Sequence, residues 1–360
     1  MGKKTLIISL TLVVILAMSA LSSASGRDFY STETIPETKE TNENEASTEV
    51  ESNTVADDTY TNEETTEDFA ETTEESEQST KESVEETTQE TTEEITEETT
   101  EEVPHVYYNP QGTTLLTRIM TPKGYERAEV PEGSFADFVL NYPLKEHGAP
   151  VKLYNGTEWD VQYVHAAVFD LPLENEDFQQ CADSIMRIYA EYYWHTGQQE
   201  KIAFHCTNGF LAEYTMWREG YRFSVNGGSI SWVKTDKFND SYYNFTKYMR
   251  MVFAYAGTLS MDRYESTPIS MDELQIGDVW LEGDSPGHVI MVADICYDEN
   301  GKKAFLLADG HTPAMDFHIM KNLLHKDDPW YYEDEITYPF DIFVHTYMKE
   351  ADLQRLTYLK

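Results

Sequence analysis

The sequence predicts an α+β domain behind a long polar N-terminal segment. Three observations predict it. Helical periodicity is concentrated in the first part of the chain beyond Val103, at 177–194 and 242–255. Short apolar runs separated by turn residues dominate its last third. Helices first and antiparallel strands later is the order of an α+β fold rather than an alternating α/β one.

The elements follow in chain order. Lys3 and Lys4 precede an apolar run from Leu6 to Met18 and the small residues Ser19–Gly26. This is the three-part pattern of a secretory signal, shorter than the roughly 20 apolar residues a membrane span needs. Small residues at Ser22 and Ala24 place the cut after Ala24, so residues 1–24 are read as a signal peptide. An uncleaved anchor is the alternative, and the only membrane attachment expected. No cysteine follows the run closely, which argues against a lipoprotein.

Residues 25–103 are read as a disordered acidic linker. Between Arg27 and Glu102 there are 28 Asp and Glu against 3 Lys and Arg, so this stretch carries 25 of the chain's 40 net negative charges. Phrases such as ETTEEITEETTEE contain almost no aromatic residue. Such a segment cannot bury enough apolar surface to offset backbone entropy, and like charges extend it. Strong acidity also excludes a nucleic-acid partner, since phosphates are repelled. A secreted or extracellular domain held off the envelope by its N-terminus is the expected localisation.

From Pro104 to Lys360 the composition becomes rich in Tyr, Trp, Phe and Met. Roughly 255 residues suffice for one large core. Within 104–360, a short helix is expected over Gly133–Asn141, and strands at Val151–Tyr154, Val161–Leu171 and Lys201–Cys206. A hairpin is expected around Asn226-Gly227-Gly228, and a second long helix over Tyr242–Tyr255. GDVWLEG, HVIMVADICYD and KKAFLLAD follow as strands, the last two joined at Asp298–Gly301.

Three cysteines are too few, and odd in number, for a disulfide framework. Cys206 and Cys296 sit in apolar strands and read as core thiols. Cys181 is different. It falls in the first turn of the 177–194 helix, which Asp177 and Gln180 start in the manner of a capping box. It shares a face with Ile185, Ile188 and Tyr192, so a buried thiol is one reading. Unpaired N–H groups and the helix dipole stabilise a thiolate there, so a nucleophile is the other.

A nucleophilic thiol needs a base. His288, delivered by a Ser-Pro-Gly turn to the first position of an apolar strand, is the candidate; a solvent-exposed turn histidine is the plainer alternative. A third group orients the imidazole. A two- or four-residue loop at Asp298–Gly301 makes paired residue numbers sum to 601 or 599. Asp309 then faces Val292 or Ile290, on the side of His288, and His311 shares that face. A bulge would break this argument.

These residues carry a resemblance. A cysteine opening a helix, a histidine opening a strand and a polar residue on the next strand resemble the papain-like cysteine hydrolases of the NlpC and CHAP types. Gly277-Asp278-Val279 and Gly287-His288-Val289 look like their GDV and GHV elements. Their Asp-Cys-Ser is replaced here by Gln-Gln-Cys. LLTRI, GSFADFVLNYPLK, FQQCADSIMRIYAEY, GDVWLEGDSPGH and FLLADGHTPAMDFHIMKN resemble the bacterial family termed domain of unknown function 4846. The resemblance implies a papain-like helix packed on an antiparallel sheet or small barrel. It also implies Cys181 as nucleophile, His288 as base and Asp309 as the orienting residue.

The function expected is an exported cysteine hydrolase of amide bonds, with cell-wall peptides as substrate, Gln180 and Trp280 in substrate binding and no cofactor. A non-catalytic surface module binding glycan or peptide through Trp159, Trp217, Trp280 or Trp330 is the alternative. Metal-assisted hydrolysis by His311, Asp316 and His318 fits no standard zinc spacing, and no metal is expected.

Overall fold

The computed structural model describes residues 105–284, 287–343 and 346–359. The signal peptide, the acidic linker and the Ser285-Pro286 part of the turn before His288 lie outside the described residues. The described residues, from 105 onward, belong to a single compact unit.

The helices are α1 (Leu115–Arg118), α2 (Phe135–Asn141), α3 (Cys181–His195), α4 (Tyr214–Arg218), α5 (Tyr242–Phe253) and α6 (Thr258–Tyr264). The first strands are β1 (Glu126–Arg127), β2 (His165–Val168), β3 (Ala203–His205) and β4 (Leu211–Glu213). Next come β5 (Tyr221–Asn226), β6 (Ser229–Lys234), β7 (Ser266–Pro268) and β8 (Val279–Glu282). The C-terminal part adds β9 (His288–Tyr297), β10 (Lys303–Asp309), β11 (His318–Met320) and β12 (Tyr331–Tyr332), then β13 (Phe340–Phe343), β14 (Thr346–Met348) and β15 (Leu353–Leu356).

The central sheet has nine strands. Its path runs β2-β11-β10-β9-β8-β15-β7, with β1 added to β9 and β12 to β10. Every pairing is antiparallel. The sheet is open, with β2 and β7 at the ends of its path, so the small-barrel alternative is not adopted. Three two-stranded hairpins, β3-β4, β5-β6 and β13-β14, stand apart from it.

Apolar residues alternate to both sides of the sheet. Val289, Met291, Leu306 and Ala308 join the main core, which α3, α5 and Phe135 of α2 complete. Ile290, Val292, Phe305 and Leu307 join a second core with Trp280, Phe340 and Met348. Burial on both faces explains why β9 and β10 read as uninterrupted apolar runs rather than alternating ones. Trp280 is one correction. It is completely buried in the second core, its indole N–H donating to the Tyr338 hydroxyl at 3.4 Å, so it is no substrate-binding side chain. Trp280→Ala should cost about 3–5 kcal/mol of stability, read by denaturant titration, and leave Cys181 reactivity in the folded fraction unchanged.

Helix α3 differs from expectation in two ways. It begins at Cys181, not Asp177, with Gln180 as its cap: the Asp183 carboxylate accepts the Gln180 N–H at 3.2 Å. Cys181 is thus the first helical residue. The helix is also buried almost all round, not on one face. Arg187 and Glu191 on its expected polar side pair at 2.7 Å beneath α5, with the Tyr242 hydroxyl donating to Glu191 at 2.6 Å. Buried charges persist when so paired.

Three helices were missed by periodicity. α1, α4 and α6 are only four, five and seven residues long, at most two turns of pattern. Val151–Tyr154 forms only isolated bridges, at Lys152 and Leu153, and the Val161–Leu171 strand shrinks to β2 behind a 3-10 turn.

Candidate active site

The hairpin of β9 and β10 brings His288 and Asp309 to one end of the sheet. Its register contains two departures that cancel. The turn is tighter than a four-residue loop and looser than a two-residue one. Asp298 accepts the Asn300 and Lys302 N–H groups, and Gly301 takes φ +81°, a left-handed conformation that favours glycine. Lys303 therefore faces Tyr297, and pairs near the turn sum to 600, contrary to the odd sum expected. A bulge between Leu306 and Leu307 then shifts the register, so that Ala308 faces Met291. The extension of this register puts Asp309 opposite Ile290, on the side of His288.

The start of α3 arrives at the same end. A Cβ added to Gly310, directly after β10, would lie 2.6 Å from Ser184 Oγ and 3.3 Å from the Gln180 carbonyl oxygen. Only a glycine lets the end of β10 touch the first turn of α3 this closely. Gly310→Ala should push Cys181 away from His288. We expect a loss of thiol reactivity at neutral pH, read by alkylation rate, with a stability cost of about 1–3 kcal/mol.

The three side chains meet there. His288 Nε2 lies 3.3 Å from Asp309 Oδ1, in a contact that falls short of hydrogen-bond geometry and is therefore chiefly charge–charge. Cys181 is close enough to the same ring to raise its affinity for a proton. Burial disfavours the imidazolium, but the Asp309 carboxylate and then Cys181 outweigh it, and the His288 pKa is pushed up to about 11. Asp309 is only 4% exposed. With Nε2 turned to the carboxylate, Nδ1 is the nitrogen left to serve the thiol.

Around this trio the Gln180 side chain is held from two sides. Its Nε2 donates to Asp177 Oδ1 at 3.2 Å, and its Oε1 accepts from Thr312 Oγ1 at 3.1 Å. His311 stands 5.2 Å from His288 between ring centroids and stacks toward Trp159 at 6.5 Å. His318, paired with Asp309 across β10 and β11, is held below the usual histidine range by burial. Among the described residues no group of three His, Cys, Asp or Glu side chains is placed to hold a metal ion.

Residues 115–355 match the family described as domain of unknown function (4846). The chain belongs to this family. No curated protein and no solved structure matches the chain. Within this family member the GDV element has a structural role. Asp278 is buried and accepts two bonds from Arg355 of β15, each at 2.8 Å, while Gly277 sits at φ +100° with the Tyr189 hydroxyl where a Cβ would go. Those two residues tie the sheet to α3 and the C-terminus; they do not touch the thiol.

The other cysteines are core residues. Burial pushes the Cys206 thiol up to about 11 and the Cys296 thiol higher still. Of the tryptophans considered for binding, Trp217 and Trp330 are buried like Trp280, whereas Trp159 is half-buried near the trio. Sequence reasoning missed Thr312 as a neighbour of Gln180, and took the Asp177–Gln180 pair for a helix cap. The cap signal it read at Asp177 is a tight turn outside the helix, with Asp177 Oδ1 also accepting the Ala314 N–H at 2.7 Å.

Proposed function

We propose that this chain is an exported cysteine hydrolase of amide bonds, with a papain-like Cys–His–Asp arrangement and peptides of the cell wall as substrate. One observation carries the reading: a thiol at the first residue of a buried helix, beside an imidazole that a buried carboxylate holds in its charged form. That combination sets a thiol beside a positioned acid–base group, the arrangement of a cysteine nucleophile.

In the reaction, Cys181 Sγ attacks the carbonyl carbon and the C=O π electrons move to oxygen. Backbone N–H groups at the start of α3, with Gln180 Nε2 beside them, are the donors for that oxyanion. His288 gives its proton to the leaving amine, the thioester remains on Cys181, and water activated by His288 releases the acid. Asp309 keeps the imidazole charged and oriented. The N-terminal signal and acidic spacer fit an extracellular site of action. The test is a screen of capped peptides and wall fragments for amine release. The reading requires that release to vanish in Cys181→Ala.

A non-catalytic binding module is the second reading. It is favoured by a cavity of about 480 Å³ lined by Leu323, Leu324, Tyr331, Phe340 and Ile342, none of them near the trio in sequence. Binding without turnover, unaffected by Cys181→Ala, would support it.

A further inference from the structure

The last seven residues before α3 carry three carboxylates. Two have cationic partners: Glu174 contacts Arg187 at 3.5 Å, and Glu176 pairs with Arg250. Asp177 has none among the described residues, although it is exposed. It is nevertheless fixed in place. Its Oδ1 accepts from the Ala314 backbone and from Gln180 Nε2, while its Oδ2 accepts no bond among the described residues. Gln180 is the residue immediately before Cys181. A held carboxylate without a counter-ion therefore stands at the rim of the thiol site.

The wider field has the same sign. Residues 103–360 hold 38 Asp and Glu against 21 Lys and Arg. A cationic group is attracted to such a surface, and a fixed carboxylate beside the reacting atoms gives that attraction a place to end. An anionic group would be repelled there at a cost that water does not fully screen.

We propose that Asp177 selects substrates bearing an ammonium group close to the scissile amide. The ammonium belongs to a lysine-type side chain or to a free N-terminal amine. This rests on the hydrolase reading of Cys181. Asp177 contacts the substrate's charge and takes no part in bond making. Its second function is to hold Gln180, which it does through Oδ1 alone. Asp177→Asn removes the charge and keeps an oxygen acceptor for Ala314.

The first experiment needs no substrate. The full chain is treated with three small methanethiosulfonates, one carrying an ammonium, one neutral and one a sulfonate. In each, a thiolate attacks the sulfenyl sulfur, a mixed disulfide forms and methanesulfinate leaves; the label is located by peptide mass. We expect Cys181 to react faster with the ammonium reagent than with the sulfonate. Asp177→Asn should lower that ratio about fivefold, with both charged-reagent rates divided by the neutral rate of the same variant so that any change common to all three reagents cancels. Glu200→Gln, an equal charge change in the 3-10 turn Gln199–Lys201 beyond the far end of α3, should leave the ratio as it was. An unchanged ratio in Asp177→Asn, or an equal fall in Glu200→Gln, overturns the charge selection while fast neutral labelling keeps the hydrolase reading. A Cys181 inert to the neutral reagent overturns both. The second experiment compares capped peptides containing lysine with uncapped peptides lacking it. A lower kcat/KM in Asp177→Asn for one set alone identifies the source of the ammonium, and equal rates for charged and uncharged peptides in the parent protein overturn the proposal.

Discussion

Under the proposed hydrolase mechanism, Cys181→Ala should abolish amine release and site-directed alkylation, and His288→Ala should lower both by about 10³-fold. This is the expected result with the largest effect on function. It follows from the division of labour at the site. The thiol supplies the bonding electrons, and no neighbouring side chain replaces them. In that mechanism the imidazole takes the thiol proton and gives it to the departing amine, and a positioned acid–base group is worth about 10²–10⁴ in rate. Groups that act as a unit also fail as a unit, so the double variant should be little worse than Cys181→Ala alone. Fold loss is not the cause expected. Cys181→Ala removes one atom from a nearly buried position and should cost on the order of 1 kcal/mol. Cys206→Ala and Cys296→Ala provide the contrast: both thiols are buried among core residues, so both variants should melt earlier and retain their rate in the folded fraction. Melting curves and amine release from wall peptides, measured on the same preparations, separate the two effects. A Cys181→Ala protein with full activity on any substrate found would remove the nucleophile from the account.

How much of this was legible in the sequence depends on the range of the interactions involved. The β9–β10 hairpin was legible because its turn chemistry and apolar runs are local. Its exact register was not. The number of residues in the loop and the bulge at Leu306–Leu307 are decided by side-chain packing on both faces of the sheet, and no short pattern encodes that. The site survived only because the two shifts compensate. The start of α3 was misplaced for a related reason. Asp177 does accept hydrogen bonds, as a cap would, but from Gln180's side chain and from Ala314, 137 residues away. Trp280 was misread because its strand is buried on both sides, and the residues that cover it, Phe340 and Met348, come from the C-terminal stretch whose pattern is mixed. The insertion of β15 between β8 and β7, held by Arg355 on Asp278, is a long-range pairing of the same kind.

The second large effect is on stability. At neutral pH, His288→Ala should cost about 3–5 kcal/mol, more than the removal of its ring from the core alone would explain. The reason is Asp309. Its carboxylate is almost fully buried, and His288 is the cationic partner within 4 Å among the described residues. Truncating the imidazole leaves that charge without compensation, next to a His318 that burial keeps neutral. Removing the carboxylate as well should recover part of the loss, so the two single changes should exceed the double change His288→Ala/Asp309→Ala by more than about 1 kcal/mol in a double-mutant cycle. Asp309→Asn should be milder than His288→Ala, because an amide oxygen still faces Nε2 without a charge. The pH dependence has a fixed sign. His288 titrates at about 11 in the folded chain, above its ordinary value of 6.5, so folding is favoured by proton binding. That contribution is whole below about pH 6.5 and declines as pH rises through about 11. The stability gap between the parent protein and His288→Ala should therefore narrow from pH 7 to pH 10. Denaturant titrations at three pH values across that range would measure it. Additive single changes, or a gap that widens with pH, would show that the imidazole and the carboxylate do not form the charged pair on which the thiol depends.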